Sequence, residues 1–244
     1  MDCDPLASNG IRSCDEPILL SPWQSPPEQP RLAGGEVELW RFRLDLTADE
    51  IGRLRQLLTD DEQRRAARLL DPNKSEQFVA ARGRLRQILA CYLETPAEQI
   101  AFDYAEYGKP FLHHAATANL DFNLAHAGCW GVVMVSAAGA VGVDVEQIEP
   151  GLERDKVAAR YFTDAECACW HRLPAVRRTR GFYRIWTRKE ARLKAAGGGF
   201  SGSAKMASTQ PDAFRLRSFV LAAGYLGACA LPPSVMRIRR WVFE

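Results

Sequence analysis

Between residues 36 and 44 the stretch EVELWRFRL sets Val37 and Leu39, then Trp40, Phe42 and Leu44, at every second position, the period of a strand. From about residue 48 to 93 the apolar spacing turns helical, with a break near Asp71-Pro72, where proline cannot continue a preceding helix. CWGVVMVS (129–136) and AVGVDVEQI (140–148) are two β-rich runs separated by Ala137, Ala138 and Gly139, which predicts an antiparallel hairpin. In RTRGFYRIWTRKEARLKAAGGG (178–199), Phe182, Ile185, Trp186, Lys189 and Leu193 recur at helical spacing and the glycines supply the stop. Residues 1–35 hold Pro5, Pro17, Pro22, Pro26, Pro27 and Pro30 and end in Gly34-Gly35, which predicts an irregular arm outside the fold.

Shifted along itself by 104 residues, the chain lays 57–93 over 161–197. Thr59, Asp60 and Glu62 fall on Thr163, Asp164 and Glu166, while Arg68, Leu69, Phe78, Arg84 and Leu89 meet identical residues. The first strand meets the run at 141–148 under the same shift. The expectation is an α+β fold of two similar α/β halves about a pseudo-twofold axis, each a small antiparallel sheet packed on a long helix. The N-terminal half spans 36–120 and the C-terminal half 121–244. The repeated Thr-Asp-x-Glu is a helix capping box in both halves. The shift also sets Arg86 on Glu190 and Arg82 on Trp186, so equivalent helix positions are basic in one half and acidic or aromatic in the other.

Composition narrows the class. With 244 residues, 47% of them hydrophobic and 25% charged, the chain can bury a core. A net charge of +2 gives no global reason to expect nucleic acid or a membrane surface as partner. No apolar run approaches a membrane span and the N-terminus lacks a secretory pattern, so the expected location is cytoplasmic. Seven cysteines without a CxxC pair indicate neither a disulfide framework nor a zinc site.

The unusual chemistry lies in GVDVEQIE. In a strand of period two, Val141, Val143 and Val145 share one face and Gly142, Asp144 and Glu146 the other, where two like charges repel unless a cation joins them. Magnesium prefers such oxygen ligands, together with phosphates and water; a solvated strand edge gives the same pattern. Glu190 and Lys194 share a helix face at i and i+4, which is also the spacing of a surface ion pair. Lys109 stands on the Gly-Lys-Pro turn of EYGKPFL, and His126 on FNLAHAG just before the β-rich runs, either as a ligand-binding or as a hydrogen-bonded structural histidine.

EYGKPFL, FNLAHAGCW, GVDVEQIEP, RYFTDAE and FYRIWTRKEARLKAAGGGF, in this order, resemble the Sfp-type 4′-phosphopantetheinyl transferases, whose signatures are a GKP turn, an Asn-x-Ser-His loop, G-x-D-x-E and W-x-x-K-E-x-x-x-K. The resemblance implies transfer of phosphopantetheine from coenzyme A to a serine of an apo acyl or peptidyl carrier protein, with release of adenosine 3′,5′-bisphosphate. It implies Mg²⁺ on Asp144, Glu146 and Glu190, with Glu190 and Lys194 catalytic. Coenzyme A would meet Lys109, Pro110, His126, Asp144 and Lys194, and the proposed duplication adds Arg82 and Arg86 from the facing helix. Phe200 and Met206 would receive the carrier, and a monomer is expected because both halves lie in one chain. Ala125 replaces the family's usual serine, which removes one hydroxyl from the phosphate site. The alternative is a non-catalytic module that binds coenzyme A or metal on the same scaffold.

Overall fold

Strand β1 (Glu36–Arg43) is central in its sheet, and its alternation explains why. Trp40 and Phe42 face one hydrophobic cluster while Val37 and Leu39 face another, so both surfaces of the strand are covered. The computed structural model describes residues 22–106, 108–113, 120–197 and 213–244. After β1 come α1 (Ala48–Arg55), α2 (Asp60–Ala67) and α3 (Pro72–Leu93), then the short pair β2 (Phe102–Tyr104) and β3 (Pro110–Leu112). Next are β4 (Asp121–Ala127), β5 (Trp130–Ser136) and β6 (Gly142–Gln147), followed by α4 (Arg154–Tyr161), α5 (Asp164–Arg172) and α6 (Ala175–Ala195). β7 (Arg215–Ala222), β8 (Tyr225–Leu231) and β9 (Arg237–Val242) complete the fold.

The helix starts follow local chemistry. Thr47, Thr59 and Thr163 each accept the amide three residues on, and Glu50, Glu62 and Glu166 reach back to the cap residue, closing three capping boxes. Pro72 occupies the first turn of α3 behind its cap Asp71, as the break in the pattern requires.

Three sheets result: β4-β5-β1-β9, β2-β3 and β6-β8-β7. α3 covers the outer face of the first through Val79, Leu85, Ile88 and Leu89. α6 covers the third, where Ala191 and Ala195 meet Ala228 and Ala230. Between the two larger sheets lies an apolar layer that includes Val37, Leu39, Val132, Met134, Val141, Val143, Val145 and Phe219. The molecule is therefore an α+β stack, with a long helix outside each larger sheet.

The structure differs from the sequence pattern in three places. The expected hairpin does not form: β5 pairs with β1 and β4, β6 pairs with β8, and the two strands meet across the apolar layer instead. Gly139, at φ 112°, turns the chain from one sheet to the other. The first sheet is mixed rather than antiparallel, because β9 joins β1 in parallel. It also takes β4, β5 and β9 from beyond residue 120, so it draws on both sides of the expected division.

The proline-rich arm is packed from Trp23 onward. Gln24 bridges Trp241 beside β9, and Trp23 lies edge-on to Phe219 with its indole N–H directed at the Val220 carbonyl, 3.4 Å away. The Arg41 guanidinium sits 4.8 Å from the Trp23 ring and 5.3 Å from that of Trp130, and donates to the Leu221 carbonyl at 2.6 Å. This packing straps the two larger sheets together. Among the described residues no helix is long and apolar enough to cross a membrane.

Candidate active site

β6 and α6 build the site because one residue between them has no side chain. A Cβ on Gly142 would stand 2.0 Å from the Ala191 carbonyl oxygen and 2.5 Å from the Ala195 nitrogen. Glycine therefore lets the helix backbone lie directly on the strand. The next residues on that face, Asp144 and Glu146, are thereby brought against the last turns of α6, which carry Glu190 and Lys194. Their cross-strand neighbours on β8 are Ala228 and Leu226, so no polar group of that strand opposes them.

Lys194 Nζ lies 2.7 Å from Asp144 Oδ1. The other Asp144 oxygen is buried and has no hydrogen-bond partner. Glu146 Oε1 accepts the Trp186 indole N–H at 3.0 Å, and Trp186 is fixed by stacking on Phe182 and by an edge contact with Tyr161. Glu190 lies close enough to feel both other carboxylates. Burial first, then the Asp144 charge, push Glu146 to about 7. The same two causes, joined by the Glu146 charge, push Glu190 to about 7. Asp144 is also raised by burial, opposed by Lys194. His126, exposed on β4, is pushed below the usual histidine range, first by desolvation and then by the Lys194 charge.

The donor set fits a hard divalent cation: three carboxylates of raised basicity, one with an unsatisfied buried oxygen. It is not a finished cage. Among the described residues no group of three or more Asp, Glu, His or Cys side chains is arranged to hold a metal ion, and the Lys194 ammonium supplies the neutralising charge on Asp144.

The remaining candidates lie elsewhere. Arg86, 1% exposed, donates to Glu62 from Nε at 3.0 Å and to the Ala97 and Ile100 carbonyls from Nη1 at 3.0 and 2.8 Å. Arg82, also buried, lies 3.4 Å from Glu62 and against the rings of Phe102, Phe78 and Tyr104. Arg86 is spent inside the N-terminal half and Arg82 is buried there with Nε and Nη1 lacking hydrogen-bond partners among the described residues, so neither offers an exposed guanidinium for the coenzyme A contact expected of it. Lys109 stands 3.4 Å from Asp121 Oδ2 and 3.3 Å from the Val141 carbonyl, with Pro110 opening β3 beside it. His126 lies five residues beyond Asp121 along β4, about 16 Å at the rise of a strand. Phe200 and Met206 lie outside the described residues. Ala125 is buried against the valines of β6.

Sequence reasoning missed three positioning groups. Asp121 Oδ2 accepts the Val141 amide at 2.7 Å and Asn123 Oδ1 the Val143 amide at 2.8 Å, so side chains of β4 satisfy the free edge of β6. Trp186, in the sequence an apolar helix position and the first residue of the W-x-x-K-E-x-x-x-K signature, carries the bond to Glu146. Lys189, which shares its helical spacing with Phe182, Ile185 and Trp186, is paired with the capping residue Glu166 at 2.8 Å.

Comparison with known proteins accords with this architecture. A model of the 4′-phosphopantetheinyl transferase superfamily matches residues 140–226, the stretch from β6 through α6 to β7. A model of the N-terminal part of 4′-phosphopantetheinyl transferases matches residues 45–138. The 4′-phosphopantetheinyl transferase HetI of Nostoc sp. is 36% identical over 185 residues, covering 75% of this chain and 78% of that protein. AcpT of Salmonella typhi is 35% identical over 130 residues, 53% of this chain and 67% of that protein. Sfp of Bacillus subtilis is 25% identical over 157 residues, 64% of this chain and 67% of that protein. With both family models matched in order and a relative covered over most of its length, the chain belongs to the 4′-phosphopantetheinyl transferases and is an enzyme of that family.

Proposed function

We propose that the chain transfers the 4′-phosphopantetheine arm of coenzyme A to a serine of an apo acyl or peptidyl carrier protein and releases adenosine 3′,5′-bisphosphate. Asp144, Glu146 and Glu190 are the side chains that would hold Mg²⁺. When bound, the ion supplies a Lewis acid that neutralises charge on the diphosphate oxygens. The observation that carries this reading is the convergence of three mutually repelling carboxylates and a lysine, drawn from β6 and α6, at a point where the chain has removed a side chain to admit the helix.

The serine oxygen bonds to the phosphorus that bears the pantetheine, and the bond from that phosphorus to the bridging oxygen of the nucleotide breaks. Glu190 accepts the serine proton, directly or through a water. Lys194 offsets the charge that builds on the departing nucleotide, and turns from Asp144 toward it as the phosphate binds. His126, beside Lys194, holds a nucleotide phosphate. The carrier docks through the segment with Phe200 and Met206.

Two parallels support a pseudo-twofold relation between the halves. Each long helix lies outside one of the larger sheets, and each is tied to the capping glutamate of the helix before it, Arg86 to Glu62 and Lys189 to Glu166. A protein with both halves in one chain is complete as a monomer, and the enzyme works in the cytoplasm, where apo carriers are made.

The test is incubation with coenzyme A, Mg²⁺ and apo carrier, followed by mass spectrometry of the carrier. Gain of the phosphopantetheine mass is expected, together with stoichiometric adenosine 3′,5′-bisphosphate. Coenzyme A binding without any mass gain on several apo carriers would favour the non-catalytic module.

A further inference from the structure

Helix α6 runs back along β6, and the two elements meet at successive points. At one end Gly142 lets the strand lie on Ala191 and Ala195. Asp144 then meets Lys194 at 2.7 Å, and Glu146 accepts the Trp186 indole N–H at 3.0 Å. One helical turn before Trp186, the Tyr183 hydroxyl accepts the Glu149 amide at 2.9 Å and lies 3.5 Å from the Glu149 carbonyl. The Ile148 amide still donates to the Gly224 carbonyl at 2.8 Å, so the tyrosine takes hold of the chain where it leaves the sheet.

The spacing on the two elements agrees. From Asp144 to Glu149 the extended chain advances about 17 Å, and from Lys194 back to Tyr183 the helix covers about 16 Å. One register of helix on strand therefore satisfies all three polar contacts, and Glu190 stands on the same run between Trp186 and Lys194. The Tyr183 ring is buried and set edge-on to Phe182, which fixes the height of its hydroxyl on the helix. Arg154, on α4, donates to the Glu149 carbonyl at 3.2 Å and ties the same loop to a different helix.

We propose that Tyr183 is a positioning residue of this centre: by holding the backbone at Glu149, its hydroxyl fixes the register of α6 along β6, and with it the placement of Glu190 and Lys194 against Asp144 and Glu146. Without that bond the helix is pinned to the strand backbone only near Gly142, and the stretch carrying Trp186 and Glu190 is free to tilt. The effect on rate rests on the transferase reading; the register itself does not.

The experiment compares Tyr183→Phe, which keeps the ring, with Arg154→Gln in the full chain, by steady-state transfer to an apo carrier and by NMR hydrogen exchange of the Trp186 indole N–H, assigned from Trp186→Phe. Tyr183→Phe is expected to lower kcat about ten-fold and to leave the coenzyme A KM within about two-fold. It should also speed exchange of the Trp186 indole about ten-fold, because the bond to Glu146 shares the register. Arg154→Gln releases the loop from α4 alone and is expected to change kcat and indole exchange by less than about two-fold. Parental kcat in Tyr183→Phe, a loss confined to KM, or unchanged indole exchange would overturn the proposal. Equal effects of Arg154→Gln and Tyr183→Phe overturn it as well, because they place the effect in the loop. If the parent protein transfers nothing, the transferase reading fails, and indole exchange in Tyr183→Phe still decides the register.

Discussion

Replacing Gly142 with alanine tests the geometry on which the site depends. The added Cβ would stand 2.0 Å from the Ala191 oxygen, 2.5 Å from the Ala195 nitrogen and 3.1 Å from the Ala191 carbonyl carbon. Non-bonded heavy atoms rest at about 3.5 Å, so strand and helix must part by roughly 1.5 Å. The strand cannot yield easily: Val141, Val143 and Val145 are buried on its other face, and its free amides are held by Asp121 and Asn123. The displacement therefore falls on α6, lifting Ala191 and Ala195 from Ala228 and Ala230 at about 1–3 kcal/mol, the usual cost of overpacking. It also carries Glu190 and Lys194 away from Asp144, and a misplacement of about 1 Å costs on the order of a hundred-fold in rate. The assay is kcat for carrier modification, with chemical denaturation for stability. Gly52→Ala is the control, since a Cβ on that α1 glycine meets nothing within 4 Å and alanine favours a helix. A Gly142→Ala protein with parental rate and stability would refute the direct contact between helix and strand.

Further outcomes follow from other contacts. Arg86→Ala leaves Glu62 buried without its main cation, so unfolding in urea should show a loss of about 3–5 kcal/mol, while the coenzyme A KM of the folded fraction stays constant; a raised KM at unchanged stability would return Arg86 to the ligand. Trp186→Phe keeps the ring stacking but removes the donor to Glu146, and should raise the Mg²⁺ concentration for half-maximal rate about three- to ten-fold with little change in melting temperature. Glu146 and Glu190 have folded pKa values raised to about 7, so between the ordinary carboxylate range and about 7 the folded state binds more protons than the unfolded state. Metal-free protein should accordingly lose stability as pH rises through that window, and Mg²⁺ should restore it at the upper end. A flat melting temperature from pH 5 to 8 without metal would contradict the crowding of the carboxylates.

Elements governed by local chemistry were legible. The period-two run of β1, the Thr-Asp-x-Glu caps, the start of α3 at Pro72 and the span of α6 follow from neighbours in sequence, and so does the sharing of one strand face by Gly142, Asp144 and Glu146. Elements decided at long range were not. β5 and β6 read as a hairpin because consecutive strands commonly pair, yet their partners β1 and β8 come from distant parts of the chain. Arg86 shows the same limit on the scale of one side chain. Its helix position was legible, but its inward direction depends on Glu62 and on two carbonyls after α3. An arginine set directly beside Leu85 and close to Ile88 and Leu89 was the available signal for a buried pair.

The parallel pairing of β9 with β1 has a bearing on how the protein is made. Arg239 and Glu36, joined at that junction, are 203 positions apart, so a chain emerging from the ribosome finishes its first sheet only after β9 has been synthesised, about 200 residues after β1. Until then one side of β1 offers unpaired amides and carbonyls to any passing strand. Chaperone capture during translation, and aggregation of forms cut before residue 237, are the natural counterparts of that late closure.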